Sequence, residues 1–169
     1  MSRRMEYTLT FDAAPERVYR DFTSREYWDE LMAMYRQYTR SEVTRFDAGE
    51  RGTDIEFVQV IPRSELPPIA RKVIPSDMVI TRTQHFDPFD PDTGRAAGTY
   101  AASIPKGPGR FGGTCTLTAA GAGSRLLLAS VCKVWIPLLG GPLEDLMLHH
   151  VTNLFDIEQD FTARWLAQH

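Results

Sequence analysis

The C-terminal fifth of the chain constrains the fold more than any other segment. A run of apolar residues typical of a strand ends at Pro137, and Gly140, Gly141 and Pro142 then interrupt the pattern. No further glycine or proline follows, and apolar residues recur at helical spacing. These residues are Leu143, Met147, Val151, Leu154, Phe161 and Trp165. The spacing predicts one long amphipathic helix, whose apolar stripe must be buried against a sheet because strand patterns dominate the rest of the chain.

The start of the chain predicts a strand followed by two short helices. Apolar and polar residues alternate over residues 5–11, as in a half-buried strand. Pro15 then stands where a first helical residue is favoured, and Val18, Tyr19 and Phe22 give a short helix. A second N-cap sequence at residues 23–26 precedes a second helix.

Six further strands are predicted in hairpin succession, which makes the sheet antiparallel. They cover residues 37–47, 53–61, 77–86, 95–104, 110–119 and 124–136. Clear turns are predicted at 47–52, 87–94, 105–109 and 120–123. The proline-rich connection at 62–75 is too long for a tight hairpin, so it is a short helix or a lid. With no repeat or linker, we expect a single domain over residues 1–169.

Composition excludes several classes of function. The formal net charge of -3 gives no indication of binding to nucleic acid or to an anionic membrane. No apolar run is long enough to span a bilayer, and no signal peptide is recognisable, so we expect a cytoplasmic protein. Cys115 and Cys132 lack metal-type spacing and are expected to be free thiols in strands. His149 and His150 are adjacent and cannot bind one metal from one helix face, so neither a metal nor another cofactor is expected.

Three segments carry a resemblance to a known superfamily. They are Ala-Pro-Glu-Arg-Val at 14–18, Pro-Arg-Ser-Glu-Leu-Pro at 62–67, and the entry to the last helix, Ile-Pro-Leu-Leu-Gly-Gly-Pro-Leu-Glu, at 136–144. With the element order, they resemble the START-like (SRPBCC, helix-grip) superfamily, and more narrowly a family of uncharacterised bacterial START-like proteins. The segment at 136–144 is the specific one. The resemblance covers essentially the whole chain.

The resemblance implies an α+β helix-grip fold. In that fold a bent seven-stranded antiparallel sheet wraps around a long C-terminal helix, and two short helices follow the first strand. The chain departs from the narrower family at two places. It has Gln84-His85-Phe86 where a tryptophan is frequent, and Pro142 where a lysine or arginine is usual.

The strand and helix periods select candidate ligand-binding residues on the inner face. Alternation in the strand at 77–86 favours an inward face that includes Arg82 and Gln84, and Glu158 on the last helix is a partner for Arg82. Inward polar residues require such partners, because burying them alone costs several kcal/mol. The candidates are Phe57, Gln59, Met78, Arg82, Gln84, Tyr100, Met147, His150, Leu154, Glu158 and Phe161.

Three functions remain open from the sequence. The first is a non-catalytic module that binds a hydrophobic or amphipathic small molecule (lipid, polyketide or sterol-like) between the sheet and the last helix. The second is an enzyme of the polyketide cyclase or dehydratase type, which requires at least two of Arg82, His150 and Glu158 to converge. The third is a protein-interaction or chaperone-activating module, which predicts a large exposed apolar patch. The first is favoured, and a non-enzyme is favoured over an enzyme.

Overall fold

The computed structural model describes residues 2–105 and 107–169 and shows an α+β fold. In chain order its elements are β1 (Arg3–Phe11), α1 (Pro15–Phe22), α2 (Arg25–Tyr35), β2 (Arg40–Gly49), β3 (Gly52–Ile61), a 3-10 turn (Arg63–Glu65), α3 (Pro68–Arg71), β4 (Met78–Phe86), β5 (Ala96–Ser103), β6 (Gly109–Ala120), β7 (Gly123–Val134) and α4 (Gly140–Gln168). The predicted element order and the two short helices after the first strand are confirmed. The predicted turn at 105–109 includes Lys106, which lies outside the described residues.

The seven strands form one antiparallel sheet in the order β1-β7-β6-β5-β4-β3-β2. Strands β2 to β7 follow one another as neighbours, and β1 adds to the far edge by pairing with β7. Consecutive strands from β2 to β7 therefore pair with each other. Strand β1 pairs instead with β7, with Tyr7 opposite Leu128. The helix-grip architecture predicted from the sequence is confirmed.

Side-chain alternation defines an inner and an outer face of the sheet. Along β7 every second residue is buried, from Ser124 to Val134, while Arg125 and Leu127 between them are exposed. On β5 the outer face is likewise exposed at Thr99 and Ala101. The core therefore lies on one side of a single sheet, as expected for a sheet with one face in solvent.

Helix α4 lies along this inner face, packing on β1 and β7 and against α2. Its buried residues are Glu144, Val151, Phe155, Thr162, Trp165 and Leu166. The predicted stripe is thus rotated. Its members Met147, Leu154 and Phe161 are half-buried at the edge, and His150 is exposed. The apolar surface of the helix is broad, so the helical period alone does not determine which of the residues at its two margins face the sheet.

The connection from β3 to β4 contains the short helix α3 and is held by one arginine. The Arg63 side chain donates to the carbonyl oxygens of Ile74 (3.3 Å) and Arg71 (3.2 Å), and its backbone N–H donates to Asp77 (2.9 Å). Leu66, within this connection, is buried. The connection is therefore a packed segment with a short helix.

Two further sequence expectations concern thiols and membranes. Cys115 and Cys132 are both free and buried, as predicted. Burial raises the pKa of each thiol to about 11, so both are protonated at neutral pH. Within residues 2–105 and 107–169, no helix combines the length and apolarity needed to cross a bilayer.

Candidate functional site

The register of β3 and β4 places the predicted polar residues on the inner face. Arg82 lies opposite Phe57, and Gln84 lies opposite Ile55, a buried core residue. Directly opposite residues of an antiparallel pair share a face, so Arg82 and Gln84 point toward α4. Every β4 residue on this face except Phe86 is only half-buried. The inner face of β4 is therefore incompletely covered, unlike that of β7.

Arg82 forms an ion pair with Glu158 of α4 across this interface. One terminal guanidinium nitrogen donates to both carboxylate oxygens of Glu158, at 3.0 and 3.2 Å, and the other donates to the amide oxygen of Gln59 at 3.3 Å. The guanidinium also lies over the Phe57 ring, 4.6 Å from its centroid. The Arg82 and Glu158 side chains are 18% and 14% exposed. The structure thus brings together the two residues whose pairing was predicted.

The electrostatics of the pair keep Arg82 charged. Burial works against the guanidinium charge, but the adjacent Glu158 carboxylate and the Tyr35 hydroxyl offset this cost, and the pKa of Arg82 is raised. Because one carboxylate balances one guanidinium, the cluster carries no net charge. Half-buried pairs of this kind persist only when further hydrogen bonds satisfy them, and Gln59 supplies one.

The Tyr35 hydroxyl adds an unused hydrogen-bonding group beside the pair. Tyr35 is buried at the end of α2, and its hydroxyl lies beside Arg82 and Glu158 without meeting the geometry of a hydrogen bond to any described residue. Burial and then the charge of Glu158 raise its pKa, so the phenol remains protonated at physiological pH. We call Tyr35, Gln59, Arg82 and Glu158 the polar cluster.

Aromatic rings surround the polar cluster on the helical side. Trp28 packs on Phe57 with ring centroids 5.5 Å apart, and Tyr27 contacts Phe161 at 5.5 Å. The Tyr27 hydroxyl is 2.7 Å from the Thr162 hydroxyl, which donates to the Glu158 carbonyl at 2.6 Å. This chain of hydrogen bonds fixes the helical turn that carries Glu158.

Tyr100 extends the lined surface across β5 and β6. Its hydroxyl crosses over Gly113 to lie 2.6 Å from the Ser130 hydroxyl, and its ring is 6.3 Å from that of Phe155. A Cβ at position 113 would approach the Ala129 carbonyl oxygen to 1.9 Å and the Tyr100 hydroxyl to 2.8 Å, so glycine leaves space for both the close backbone contact and this crossing. Burial raises the pKa of Tyr100 to about 12.

The remaining candidates divide between the interface and the surface. Met147 contacts buried Cys132, with its sulfur 3.2 Å from the thiol, and Gln84 donates to the Thr99 carbonyl at 3.2 Å. Met78, Leu154 and Phe161 are half-buried. His150 is exposed beside His149, so the structure does not bring it to the polar cluster. Its place at the margin of the helical stripe explains the difference.

Sequence reasoning missed Tyr35, Phe155 and Glu144 as inward residues. Tyr35 ends a helix far from Arg82 in the chain, and no period connects the two. Glu144 is buried and accepts a hydrogen bond from the Val134 backbone N–H at 2.8 Å. Its position in the helix-entry motif at 136–144 was the sequence signal from which its burial could have been predicted. Phe155 follows Leu154 on the helix and was hidden by the same ambiguity that affected His150.

Two surface depressions lie on the strands. One of about 260 Å³ lies over β3, β4 and β5 around Asp54, Thr83 and His85, and one of about 210 Å³ lies between β1 and β7. Neither lies between the sheet and α4. In the part of the chain that the structure describes, no group of three or more His, Cys, Asp or Glu side chains is arranged to hold a metal ion.

Comparison with known proteins identifies relatives in sequence and in fold. Residues 6–166 match the profile of a family described as protein of unknown function (DUF2505). The uncharacterized protein Rv0481c of Mycobacterium tuberculosis is 28% identical over 177 aligned positions, covering 99% of this chain and 98% of the relative. A Mycobacterium bovis protein, Mb0491c, is similar to the same extent.

Solved structures show the same fold at low sequence identity. The structure of Ara h 8.0201 covers 100% of both chains with a TM-score of 0.62 and 12% identity. TTHA0849 from Thermus thermophilus covers 100% of both chains with a TM-score of 0.57 and 20% identity. Norcoclaurine synthase from Thalictrum flavum covers 100% of this chain and 88% of its own, with a TM-score of 0.55 and 11% identity. At these identities the similarity establishes the fold alone.

Proposed function

The chain belongs to the DUF2505 family of proteins of unknown function, and we propose that it binds an amphipathic small molecule (lipid, polyketide or sterol-like) between β4 and α4. The observation that carries this proposal is the incompletely buried inner face of β4 with the polar cluster at its centre. Neither of the two surface depressions lies there, so a ligand has to part α4 from β4 to reach the cluster. A sheet face that served only as core would be fully buried, as it is along β7. The resemblance to the START-like superfamily, whose fold the chain shares, supports the same proposal.

The charge balance of the polar cluster selects the head group. Arg82 and Glu158 neutralise each other, so an additional full charge would be desolvated without a counter-ion. The Tyr35 hydroxyl and the guanidinium edge are donors, and the Glu158 carboxylate is an acceptor. A hydroxyl or carbonyl oxygen can use these groups without adding charge. The cluster therefore favours a neutral, oxygen-bearing head group.

The apolar part of the ligand would be covered by half-buried side chains of β4 and α4. Met78 and Ile80 lie on the same β4 face as Arg82, and Leu154 and Phe161 flank Glu158 on α4. All four are half-buried, so their remaining apolar surface is available to a bound molecule. Covering such surface contributes about 25 cal/mol per Å². Sites of this composition, with apolar walls and few polar groups, are typical of small-molecule binding.

An enzyme of the cyclase or dehydratase type is the second candidate. The observation that favours it is the convergence of Arg82 and Glu158 within hydrogen-bonding distance, which that hypothesis required. Norcoclaurine synthase, a structural relative, is named as an enzyme. However, His150 lies outside the cluster, and the raised pKa values of Tyr35 and Arg82 keep both groups from acting as a base. Binding therefore accounts for more of the geometry than proton transfer does.

Decanol provides a direct test, because it combines a neutral hydroxyl with an alkyl chain. In a two-dimensional NMR titration we expect the Arg82 Nε–H and the side-chain amide of Gln59 to shift as decanol is added. The exposed amides of Gln37 and Gln168 serve as controls and should not move. Decanoate should bind more weakly, since its charge has no partner. Shifts confined to the surface, or no saturable shift, would refute the proposed site.

A paired substitution separates the structural role of the ion pair from its role in binding. Arg82→Met alone leaves Glu158 without its partner and should lower the free energy of unfolding by about 2 kcal/mol. The double variant Arg82→Met with Glu158→Leu removes both charges and should recover most of that loss. Although stable, the double variant should bind decanol and decanoate with similar affinity. A double variant that still binds decanol more tightly than decanoate would show that the polar cluster does not select the head group.

A further inference from the structure

The connection between β7 and α4 exposes apolar side chains that the fold does not use. Leu138 is 97% exposed, and Trp135 is 56% exposed. They lie at the end of β7, three residues apart. Of the three tryptophans in the chain, Trp28 and Trp165 are buried. Exposed apolar residues that cluster at one place on a protein mark interaction sites more often than scattered ones do.

Leu138 also adopts a backbone conformation that leucine disfavours. Its φ of 68° lies in the left-handed region, and the N–H of Leu139 donates to the Ile136 carbonyl at 3.3 Å. This geometry places Leu138 at the third position of a β-turn, where glycine or asparagine is preferred. Leucine therefore opposes the turn conformation and gains no burial there. Neither folding nor packing explains a leucine at this position.

Basic side chains lie beside the exposed tryptophan. Arg110 and Lys133 are opposite each other on β6 and β7, on the outer face, and the Arg110 guanidinium is 5.9 Å from the centre of the Trp135 ring. Among the described residues neither has a carboxylate within ion-pair distance, and Asp145 on the nearby helical turn is paired with Arg3. We call Arg110, Lys133, Trp135 and Leu138 the junction surface. Its local charge is positive although the chain as a whole carries a net charge of -3.

We propose that the junction surface docks on an anionic lipid membrane. Tryptophan places an apolar ring and a polar N–H at a membrane interface, and a fully exposed leucine supplies apolar area for the acyl region. Arginine and lysine beside them complement the negative charge of the lipid surface. The combination of exposed apolar and unpaired basic groups fits a membrane better than a protein partner. A membrane accepts such side chains without a groove of defined shape, which a protein partner would have to provide. The inference stands independently of the proposed ligand site.

A vesicle-binding assay tests this proposal directly. The wild-type chain is mixed with vesicles of phosphatidylcholine alone or of phosphatidylcholine and phosphatidylglycerol in equal parts, at low and high salt. We expect cosedimentation with the anionic vesicles that weakens as salt is added. The tryptophan emission should shift to shorter wavelength, reporting Trp135, because the other two tryptophans are already buried. No binding to anionic vesicles at low salt would overturn the proposal.

Matched variants locate the binding surface. Leu138→Gly should reduce partition to anionic vesicles by about tenfold or more, while thermal stability stays equal or rises because glycine suits the turn. Leu127→Thr removes an exposed leucine from mid-β7 and should leave binding unchanged. Arg110→Gln should reduce binding about fivefold. Arg125→Gln, on the same outer face at the other end of β7, should have little effect.

Two outcomes of the variant series would contradict membrane docking. Leu138→Gly that binds vesicles as tightly as the wild type would show that the leucine takes no part. A wild-type dimer in sedimentation velocity that becomes monomeric with Leu138→Gly would show that a second copy of the chain covers the junction surface. Failure of either kind leaves the decanol titration at the polar cluster unaffected, so the two proposals are tested separately.

Discussion

At the scale of single residues, Arg82 shows how a charged side chain is accommodated beside an apolar core. Its guanidinium is offset by Glu158, shares a hydrogen bond with Gln59 and lies over the Phe57 ring. Each contact compensates for part of the desolvation of the charge. Beside it, the Tyr35 hydroxyl helps to raise the pKa of Arg82 but does not meet the geometry of a hydrogen bond to any described residue. Its unused capacity is the reason for placing the ligand's head group here.

His85 provides a prediction on the opposite face of the same strand. Its Nδ1 is 2.7 Å from an Asp54 carboxylate oxygen, and its Nε2 is 3.0 Å from Asp87. The hydrogen bond with Asp54 contributes most to raising the pKa of His85 above its usual value, despite a partial opposing effect of burial. Carboxylates on both ring nitrogens favour the doubly protonated imidazolium.

The raised pKa fixes the direction of a pH dependence. Because the folded state binds the His85 proton more tightly than the unfolded state, its stabilising contribution is fully present below the unfolded pKa of about 6.5. It is lost as the pH rises through the higher pKa of the folded state. We therefore expect His85→Gln to lower the urea midpoint more at about pH 5 than at about pH 9. An equal difference at both pH values would show that His85 is not charged in the fold.

The positions of inward side chains could be predicted from the sequence where alternation and charge agreed. Alternation in β4 put Arg82 on the inner face, and a carboxylate at an inward helical position needed a cation, so the pair with Glu158 could be anticipated. His150 lay on the margin of the stripe, where a rotation of the helix by one residue moves a side chain into solvent. Tyr35 could not be found, because its proximity to Arg82 depends on the packing of α2 on the sheet.

At the scale of elements, the junction between β7 and α4 fixes the position of the helix. Glu144 accepts the Val134 N–H at 2.8 Å, and its other carboxylate oxygen is 3.7 Å from Arg3 of β1. A Cβ at position 140 would approach the Val134 carbonyl oxygen to 2.8 Å, so glycine permits the close contact. The motif at 136–144, which carried the family resemblance, is therefore a structural clamp between β1, β7 and α4.

Glu144→Ala should destabilise the fold, because it leaves the buried Val134 N–H without an acceptor and Arg3 without one of its two carboxylates. We expect the free energy of unfolding to fall by about 3 kcal/mol in urea denaturation. Asp145→Ala is the matched control, since Asp145 also pairs with Arg3 but its side chain is 62% exposed. Its loss should stay within about 0.5 kcal/mol. Equal effects of the two substitutions would contradict the clamp.

At the scale of the whole molecule, the fold followed from the order of elements, whereas the openness of its inner face did not. Hairpin-length connections implied an antiparallel sheet, and the single long helix required that sheet as its partner. The position of α4 over β1 and β7 leaves β4 half-covered, and this depends on side-chain volumes at the interface, which no periodicity encodes. The candidate ligand site is a consequence of that offset.

A native mass spectrum of the gently purified chain tests the central claim most directly. We predict a second species, heavier than the chain by the mass of a small organic molecule, that is lost on organic extraction and regained on incubation with a lipid extract. The double variant Arg82→Met with Glu158→Leu, folded by circular dichroism, should retain much less of it. A wild-type spectrum that shows only the chain mass, even after incubation with the lipid extract, would contradict the account.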